Sequence, residues 1–322
     1  MEYFHLARYR FHIQAGERGL DLPPFKGSAL RGVMGRVMRQ MSCADPDWQC
    51  LDCHLRPQCP YAYVFETAPS PAAAMMSGYD QVPRPYVIEP PSGGQEFLPA
   101  GEEMAFDLLL FGRAIPLFSY FLAAFREGGR IGLGSGKKKY KLVRVEAVND
   151  FNGSREDIFQ SGGKLRAGYE VEWSGQEVLL ASAAMQPVRE VTIDFITPTQ
   201  LMADGNKLSQ LQELDFVVLL RNILRRYSSL YVHHHDILPE ESFAALLEKA
   251  GEISYSGGEG QIDRWERYSM RREQRNPMEG FTGWLKYTGD LSPVVPYIML
   301  GQWLHIGKWS VFGMGKYSCE FS

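Results

Sequence analysis

Four of the five cysteines, Cys43, Cys50, Cys53 and Cys59, follow one another with the spacing C-x6-C-x2-C-x5-C, while Cys319 stands apart near the C-terminus. Thiols gathered in this way in a reduced compartment bind metal more often than they pair as disulfides. Four thiolates close a tetrahedral shell, and Cys50–Cys53 has the two-residue gap of structural zinc knuckles. The C-x2-C-x5-C portion also occurs among iron–sulfur ligands, so structural zinc, an iron–sulfur cluster and unliganded thiols all stand as readings. A closed shell leaves no open position for chemistry. The expected role is therefore a staple for an irregular cysteine-rich metal-binding insertion at about residues 43–60, which also holds Pro46, Pro57 and Pro60. His54 lies among the cysteines, which suffice without it.

A second set of residues repeats. Ile131-Gly132-Leu133-Gly134 and Phe312-Gly313-Met314-Gly315 are each followed by lysine and then tyrosine, through Lys137-Lys138-Lys139-Tyr140 and Lys316-Tyr317. Glycine permits positive φ and lets a polyanion approach backbone amides closely. Dinucleotide and Walker fingerprints need a strand before the glycines and a helix after them; here the order is reversed, which argues against both. One such loop reads as a tight helix-to-strand turn. Two matched loops ending in lysine point instead to a cradle for a phosphate backbone, with Gly313, Gly315, Lys316 and Lys137–Lys139 as its candidates.

The elements that would position these groups fall into two similar courses. Residues 3–14 alternate, placing Tyr3, Ala7, Tyr9, Phe11 and Ile13 on one side of a strand and Arg8, Arg10, His12 and Gln14 on a basic, wet side. After Pro23-Pro24, Leu30, Val33, Met34, Val37, Met38 and Met41 make a helical core stripe, with Arg31, Arg36 and Arg39 off it. A strand over 102–111, a helix over 113–127 ended by Gly128-Gly129, the first glycine loop and a strand over 140–148 complete the half. The second half reads as a strand over 188–196 ended by Thr197-Pro198, and a helix over 209–231 carrying Arg221, Arg225 and Arg226. Paired strands over 261–273 and 281–288 around Asn276-Pro277 follow, then a helix from Ser292-Pro293 to about Leu304, the second loop and a last strand. Both halves give βαββαβ, so the expected fold is α+β, tandem ferredoxin-like (RRM-like) domains. The domains would be 1–148 and 188–322, with 149–187 a linker or inserted hairpin bearing a short strand signal at Val178–Leu180.

At 322 residues, with 45% hydrophobic and 22% charged residues, the chain is an ordinary two-domain globular protein rather than a disordered one. No apolar run reaches about 18 residues, and the start, MEYFHLARYR, is unlike a secretory signal; a cytoplasmic, membrane-free location is expected. A net charge of −4 means that any polyanion site must be a local patch. Its candidates are Lys26, Arg31, Arg36, Lys137, Lys138, Lys139, Arg225, Arg226, Lys308 and Lys316, although the common fate of a single surface cation is simply to be solvated.

The terminal G-x-x-x-x-F-G-x-G-K-Y loop, Pro24-Phe25-Lys26-Gly27-Ser28-Ala29-Leu30-Arg31-Gly32 and the tandem halves together resemble the RAMP superfamily of CRISPR-associated proteins. Thr197-Pro198-Thr199, Phe281-Thr282-Gly283-Trp284 and Asp290-Leu291-Ser292-Pro293 extend the similarity over nearly the whole chain. Within the superfamily the chain most resembles pre-crRNA processing endoribonucleases of a prokaryotic, cysteine-bearing branch. The resemblance implies binding of CRISPR repeat RNA, company among other CRISPR-associated proteins, and metal-independent cleavage leaving 5′-hydroxyl and 2′,3′-cyclic phosphate ends. A backbone subunit that holds crRNA without cutting it is the alternative, and a nonspecific zinc-containing RNA-binding protein is a third reading. Cleavage of that kind needs a base, an acid and a cation for the phosphorane charge. His305, at a helix end two residues before the glycine loop, is the expected proton-transfer group, and Lys308 the cation; a purely capping histidine is the plain alternative. His233-His234-His235 read as surface or capping residues, and His12 as a possible RNA contact on the basic strand face.

Overall fold

The alternation over the first residues forms β1 (His5–Ala15), whose Leu6, Ala7, Tyr9, Phe11 and Ile13 are buried. Tyr3 falls outside the strand and is 58% exposed, a departure from the expected stripe. The computed structural model describes all residues except 46–48, 76–81, 92, 135, 204, 209–213, 241 and 270–273. Next comes α1 (Gly27–Ser42), which buries Leu30, Val33, Met34, Val37 and Met38. Each such side chain contributes about 1.5–3 kcal/mol by leaving water. Met41, counted into that stripe from the sequence, is exposed in the last turn of the helix.

The rest of the N-terminal unit comprises α2 (Pro60–Phe65), β2 (Tyr86–Glu89), β3 (Glu103–Phe111), α3 (Phe118–Ile131), β4 (Tyr140–Val148), β5 (Arg155–Gln160) and β6 (Glu172–Ser174). Its antiparallel sheet runs β2-β3-β1-β4-β5, with β6 added alongside the start of β1. Leaving out β5 and β6, the order is that of a ferredoxin-like βαββαβ unit. Helix α3 does not stop at Gly128-Gly129. It runs through both, because a Cβ on Gly128 would lie 2.6 Å from the Tyr140 hydroxyl and one on Gly129 would strike the Tyr140 carbonyl. The glycines serve close approach to β4, and the helix ends at Gly132, with φ of 98°.

The second unit contains α4 (Gly175–Ala184), β7 (Glu190–Thr199), α5 (Phe216–His235) as far as Val232, α6 (Phe243–Ala250), β8 (Ser254–Ser269), β9 (Gln274–Thr288), α7 (Val295–Leu304) and β10 (Tyr317–Phe321). The sheet order β8-β9-β7-β10 reproduces the first unit's arrangement, so the α+β, tandem ferredoxin-like architecture holds. By contacts, residues 1–3, 175–232 and 237–322 form this unit, and residues 4–174 with 233–236 form the other. The stretch 149–187 is therefore structured on both sides of residue 174, and Val178–Leu180 lies in a helix instead of a strand. Asn276-Pro277 pairs with Arg267 and Glu266 inside the β8–β9 hairpin rather than turning it; the expected turn-flanking residues 270–273, and 209–213 of the expected helix, lie outside the described residues. Strand β7 continues through Pro198 to Thr199, and α7 begins at Val295, after Ser292-Pro293. Among the described residues no helix is long and apolar enough to cross a membrane.

One device recurs in both units. The tyrosine that follows each lysine, Tyr140 or Tyr317, donates its hydroxyl to a helix carbonyl, Phe125 or Ile298, at 2.7 Å in each case. Each phenol passes over a glycine three residues on in that helix, Gly128 or Gly301, where a Cβ would collide with it. Burial pushes both phenols well above their ordinary pKa, so each remains a neutral donor.

Candidate functional site

The second glycine loop leaves α7 at His305, which adopts φ of 56°, and Gly307, Trp309, Gly313 and Gly315 also take positive φ. The Lys308 amide donates to the Gln200 carbonyl at 3.1 Å, and Gly315 donates to the Pro198 carbonyl at 3.2 Å. Thr197 pins the other end: its hydroxyl donates to the Gly313 carbonyl at 2.9 Å and accepts from the Lys316 amide at 2.9 Å. Gly313 and Gly315 are buried, and their amides are spent on Ser310 and Pro198. The expected cradle of open glycine amides is thus replaced by a loop folded onto itself, which presents side chains instead.

His305 is fully enclosed, and its Nδ1 lies 3.0 Å from the Met314 carbonyl, joining the two ends of the loop. Lys308 is exposed with no side-chain partner among the described residues, and Lys316 is half-buried and engaged. Beneath the loop, Arg226 donates from Nε to the Leu304 carbonyl at 3.1 Å, at the end of α7. Its Nη2 is buried without a partner among the described residues, and burial pulls its pKa down to about 10. Both side-chain amide atoms of Gln200, a residue 2% exposed, are likewise unpartnered among the described residues. Arg225, on the preceding position of α5, is exposed.

In the first glycine loop Leu133 and Lys138 bridge through their backbones, and Lys138 reaches Asp21 at 2.6 Å and the Phe97 ring at 5.3 Å. Lys139 Nζ donates to the Arg130 and Ile131 carbonyls at the end of α3, where a cation suits the helix dipole. Lys137 alone of the three is exposed without a partner among the described residues. Lys26 is 3% exposed and donates to the Gly93 carbonyl at 3.0 Å; burial lowers its pKa, with Glu96 opposing. Arg31 donates to the Tyr86 hydroxyl at 2.9 Å and lies over the Phe65 ring, and half-buried Arg36 has no partner among the described residues.

The face of β1 expected to be basic is neutralised. Arg8 is bonded to Glu89, Asp107 and Asp150, and Arg10 to Asp107 at 2.7 Å. Burial opposes the Arg8 charge, and the three carboxylates outweigh it. His12 is held by Glu146 at 2.9 Å. Two of the three consecutive histidines are buried, His233 and His234 at 1% and 0% exposure, and His235 is half-buried. His234 meets the Tyr63 hydroxyl at 3.0 Å and the Pro83 carbonyl at 2.8 Å, and His235 Nε2 accepts from the His5 amide at 2.8 Å. Sequence reasoning missed this function because consecutive histidines at a helix end carry no periodic signal. Thr197, in the Thr197-Pro198-Thr199 motif, pins the loop through contacts more than a hundred residues away, which local sequence does not signal.

Cys43, Cys50, Cys53 and Cys59 are all reduced and partly exposed. Burial raises the Cys50 thiol, with Glu66 adding to the rise, Arg39 opposing it, and Cys59 and Cys43 contributing further.

The AF_1859_N N-terminal domain family model matches residues 4–170, and the model for CRISPR-associated endoribonuclease Cas6 matches residues 193–317, through the second glycine loop. An uncharacterized protein of Archaeoglobus fulgidus is 23% identical over 314 residues, covering 91% of each chain. The Thermus thermophilus Cas6 structure superposes with a TM-score of 0.55 at 14% identity, over 99% of this chain and 100% of that one. A chain of a partial Cas6-RT-Cas1–Cas2 complex superposes at 0.58 with 11% identity; the present chain is covered completely but spans 47% of that chain.

Proposed function

The chain belongs to the CRISPR-associated RAMP superfamily, in its pre-crRNA-processing family, and from that premise we propose that it binds CRISPR repeat RNA and cleaves it. The observation that carries this reading is the match of the endoribonuclease model to residues 193–317, most of the second ferredoxin-like unit, including the loop that leaves Lys308 exposed. The proposed chemistry is attack of the repeat's 2′-hydroxyl on the adjacent phosphate, independent of metal: the new O–P bond forms as the 2′-hydroxyl gives its proton to water, and the bond to the 5′-oxygen breaks as that oxygen takes a proton from water. In that step Lys308 steadies charge on the phosphate as it becomes a phosphorane. His305 acts through the loop: its bond to the Met314 carbonyl holds the turn that displays Lys308. Association with other CRISPR-associated proteins is part of the same proposal.

Incubating the purified chain with its cognate repeat RNA in EDTA tests the reading. A single cut leaving a 2′,3′-cyclic phosphate and a 5′-hydroxyl is expected. Tight binding without a cut would make the chain a crRNA-holding subunit, and binding indifferent to RNA sequence would remove the family function altogether.

A further inference from the structure

We propose that Cys43, Cys50, Cys53 and Cys59 hold one zinc ion as a tetrathiolate, clamping the end of α1 to the start of α2. The two outer thiols are already fixed by the helices. Cys43 ends α1, its amide bonded to the Arg39 carbonyl, and Cys59 precedes α2, its Sγ accepting from the Ala62 amide at 3.5 Å. The helices come together near these ends: the Arg39 guanidinium, in the last turn of α1, lies 6.0 Å from the centre of the Tyr61 ring at the start of α2. Further along, a Cβ on mid-helix Gly35 would lie 2.9 Å from the ring of Phe65, the last residue of α2.

Between the outer thiols the described residues are held by few contacts: the Cys43 thiol donates to the Asp45 carbonyl at 2.9 Å, and Arg56 donates to the Glu66 carbonyl at 3.4 Å. None of the described residues from 43 to 60 is buried, and Leu51 and Leu55 are 77% and 53% exposed. Its backbone bonds among the described residues are short turns: Asp52 to Gln49, Arg56 to Cys53 and Gln58 to Leu55 at 3.1 Å each, and Cys59 to Arg56 at 3.3 Å. A connection this long without a core of its own is uncommon in a compact unit. Among the described residues no three His, Cys, Asp or Glu side chains yet stand at metal-holding distance. On this proposal the Cys50–Cys53 turn closes on the two fixed thiols when the ion binds, each sulfur reaching about 2.3 Å from zinc. The thiols give up their protons as they ligate, and the ion replaces the missing core.

The test is elemental analysis of the full chain purified without chelator, with one zinc per chain expected. Cobalt(II) in its place is expected to show the intense bands of a tetrahedral thiolate site. Cys50→Ser with Cys53→Ser should lose the metal; because that variant can misfold, thiol titration of the native chain before and after chelation gives a second measure. Four thiols should become reactive only after chelation, and hydrogen exchange over 43–60 should accelerate while the sheets stay protected. Native protein with no metal and four freely titrating thiols would overturn the proposal, and so would stoichiometric iron with a brown colour. None of these readouts uses RNA, so this proposal and the processing function stand or fall separately.

Discussion

His305→Ala separates two roles that a histidine at this position can play. The ring is fully enclosed and its Nδ1 faces the Met314 carbonyl at 3.0 Å. Truncation leaves that carbonyl unpaired, which costs about 1–3 kcal/mol. It also leaves a cavity, and emptying a packed site to alanine costs about 2–5 kcal/mol in total. The two contributions overlap, so roughly 3–5 kcal/mol is expected, a large part of the about 5–15 kcal/mol that holds a domain folded. At about 2–4 °C per kcal/mol for a unit of this size, the unfolding temperature should fall by roughly 6–20 °C. Calorimetry measures that fall, and single-turnover cleavage below the variant's transition measures the chemistry. Cleavage within about tenfold of the parent rate is expected there, since about 1.4 kcal/mol of barrier is all that disturbed positioning is asked to supply. His305→Asn, whose amide can donate to the same carbonyl and tolerates positive φ, should recover part of the stability. An unchanged unfolding temperature together with a roughly 10²–10⁴-fold slower cut would refute the anchoring argument and make the ring the proton-transfer group.

Three further outcomes follow from particular contacts. Lys308→Ala should slow single-turnover cleavage and weaken RNA binding while leaving the unfolding temperature within about 1 °C, because a solvated side chain contributes little to stability; equal rates would exclude it as the phosphate cation. Gly129→Ala should lower the unfolding temperature even though alanine is the better helix former by about 1 kcal/mol, since its Cβ meets the Tyr140 carbonyl, which cannot swing away; a stabilised variant would show that the α3–β4 approach is looser. Burial pushes the Cys319 thiol from 9.0 up to about 12, so the folded state disfavours its thiolate. That contribution is complete below about pH 9 and disappears as pH rises toward 12. Alkylation at pH 8 followed by peptide mass mapping should therefore leave Cys319 unlabelled until the chain unfolds.

Elements with a clean periodicity were legible in the sequence. The alternation of β1 and the stripe of α1 each require one buried face, and both halves could be ordered as βαββαβ from that alone. Glycine and proline misled where tertiary contacts overrode their local meaning. Gly128-Gly129 reads as a helix stop, but the structure needs the missing side chains for Tyr140. Asn276-Pro277 reads as a turn, but it is accommodated within a long hairpin strand. Net charge along a strand also hid its partners: Arg8 and Arg10 look like a wet basic face until β2 and β3 bring Glu89 and Asp107 beside them. The site was legible as a list of residue types, whereas which of them are spent internally is decided by pairings distant in sequence.

That distinction sets how strongly the RNA complex should respond to salt. Ten basic side chains stand as phosphate candidates by sequence, and at about 0.7–0.9 log units per contact they would give a slope of about −7 to −9 in log affinity against log salt. The structure commits six of them elsewhere: Lys26 to a carbonyl, Arg31 to Tyr86, Lys138 to Asp21, Lys139 to the end of α3, Arg226 to Leu304, and Lys316 to contacts of its own. Arg36, Lys137, Arg225 and Lys308 are without side-chain partners among the described residues. Four contacts predict a slope of about −3 to −4. Fluorescence anisotropy with labelled repeat RNA across a salt series measures it. Lys137→Glu should flatten the slope, while Lys138→Ala should leave it nearly unchanged because Asp21 already neutralises that ammonium. A slope near −8, or equal effects of the two lysines, would mean that RNA recruits the buried and paired cations by reopening the loops that now hold them.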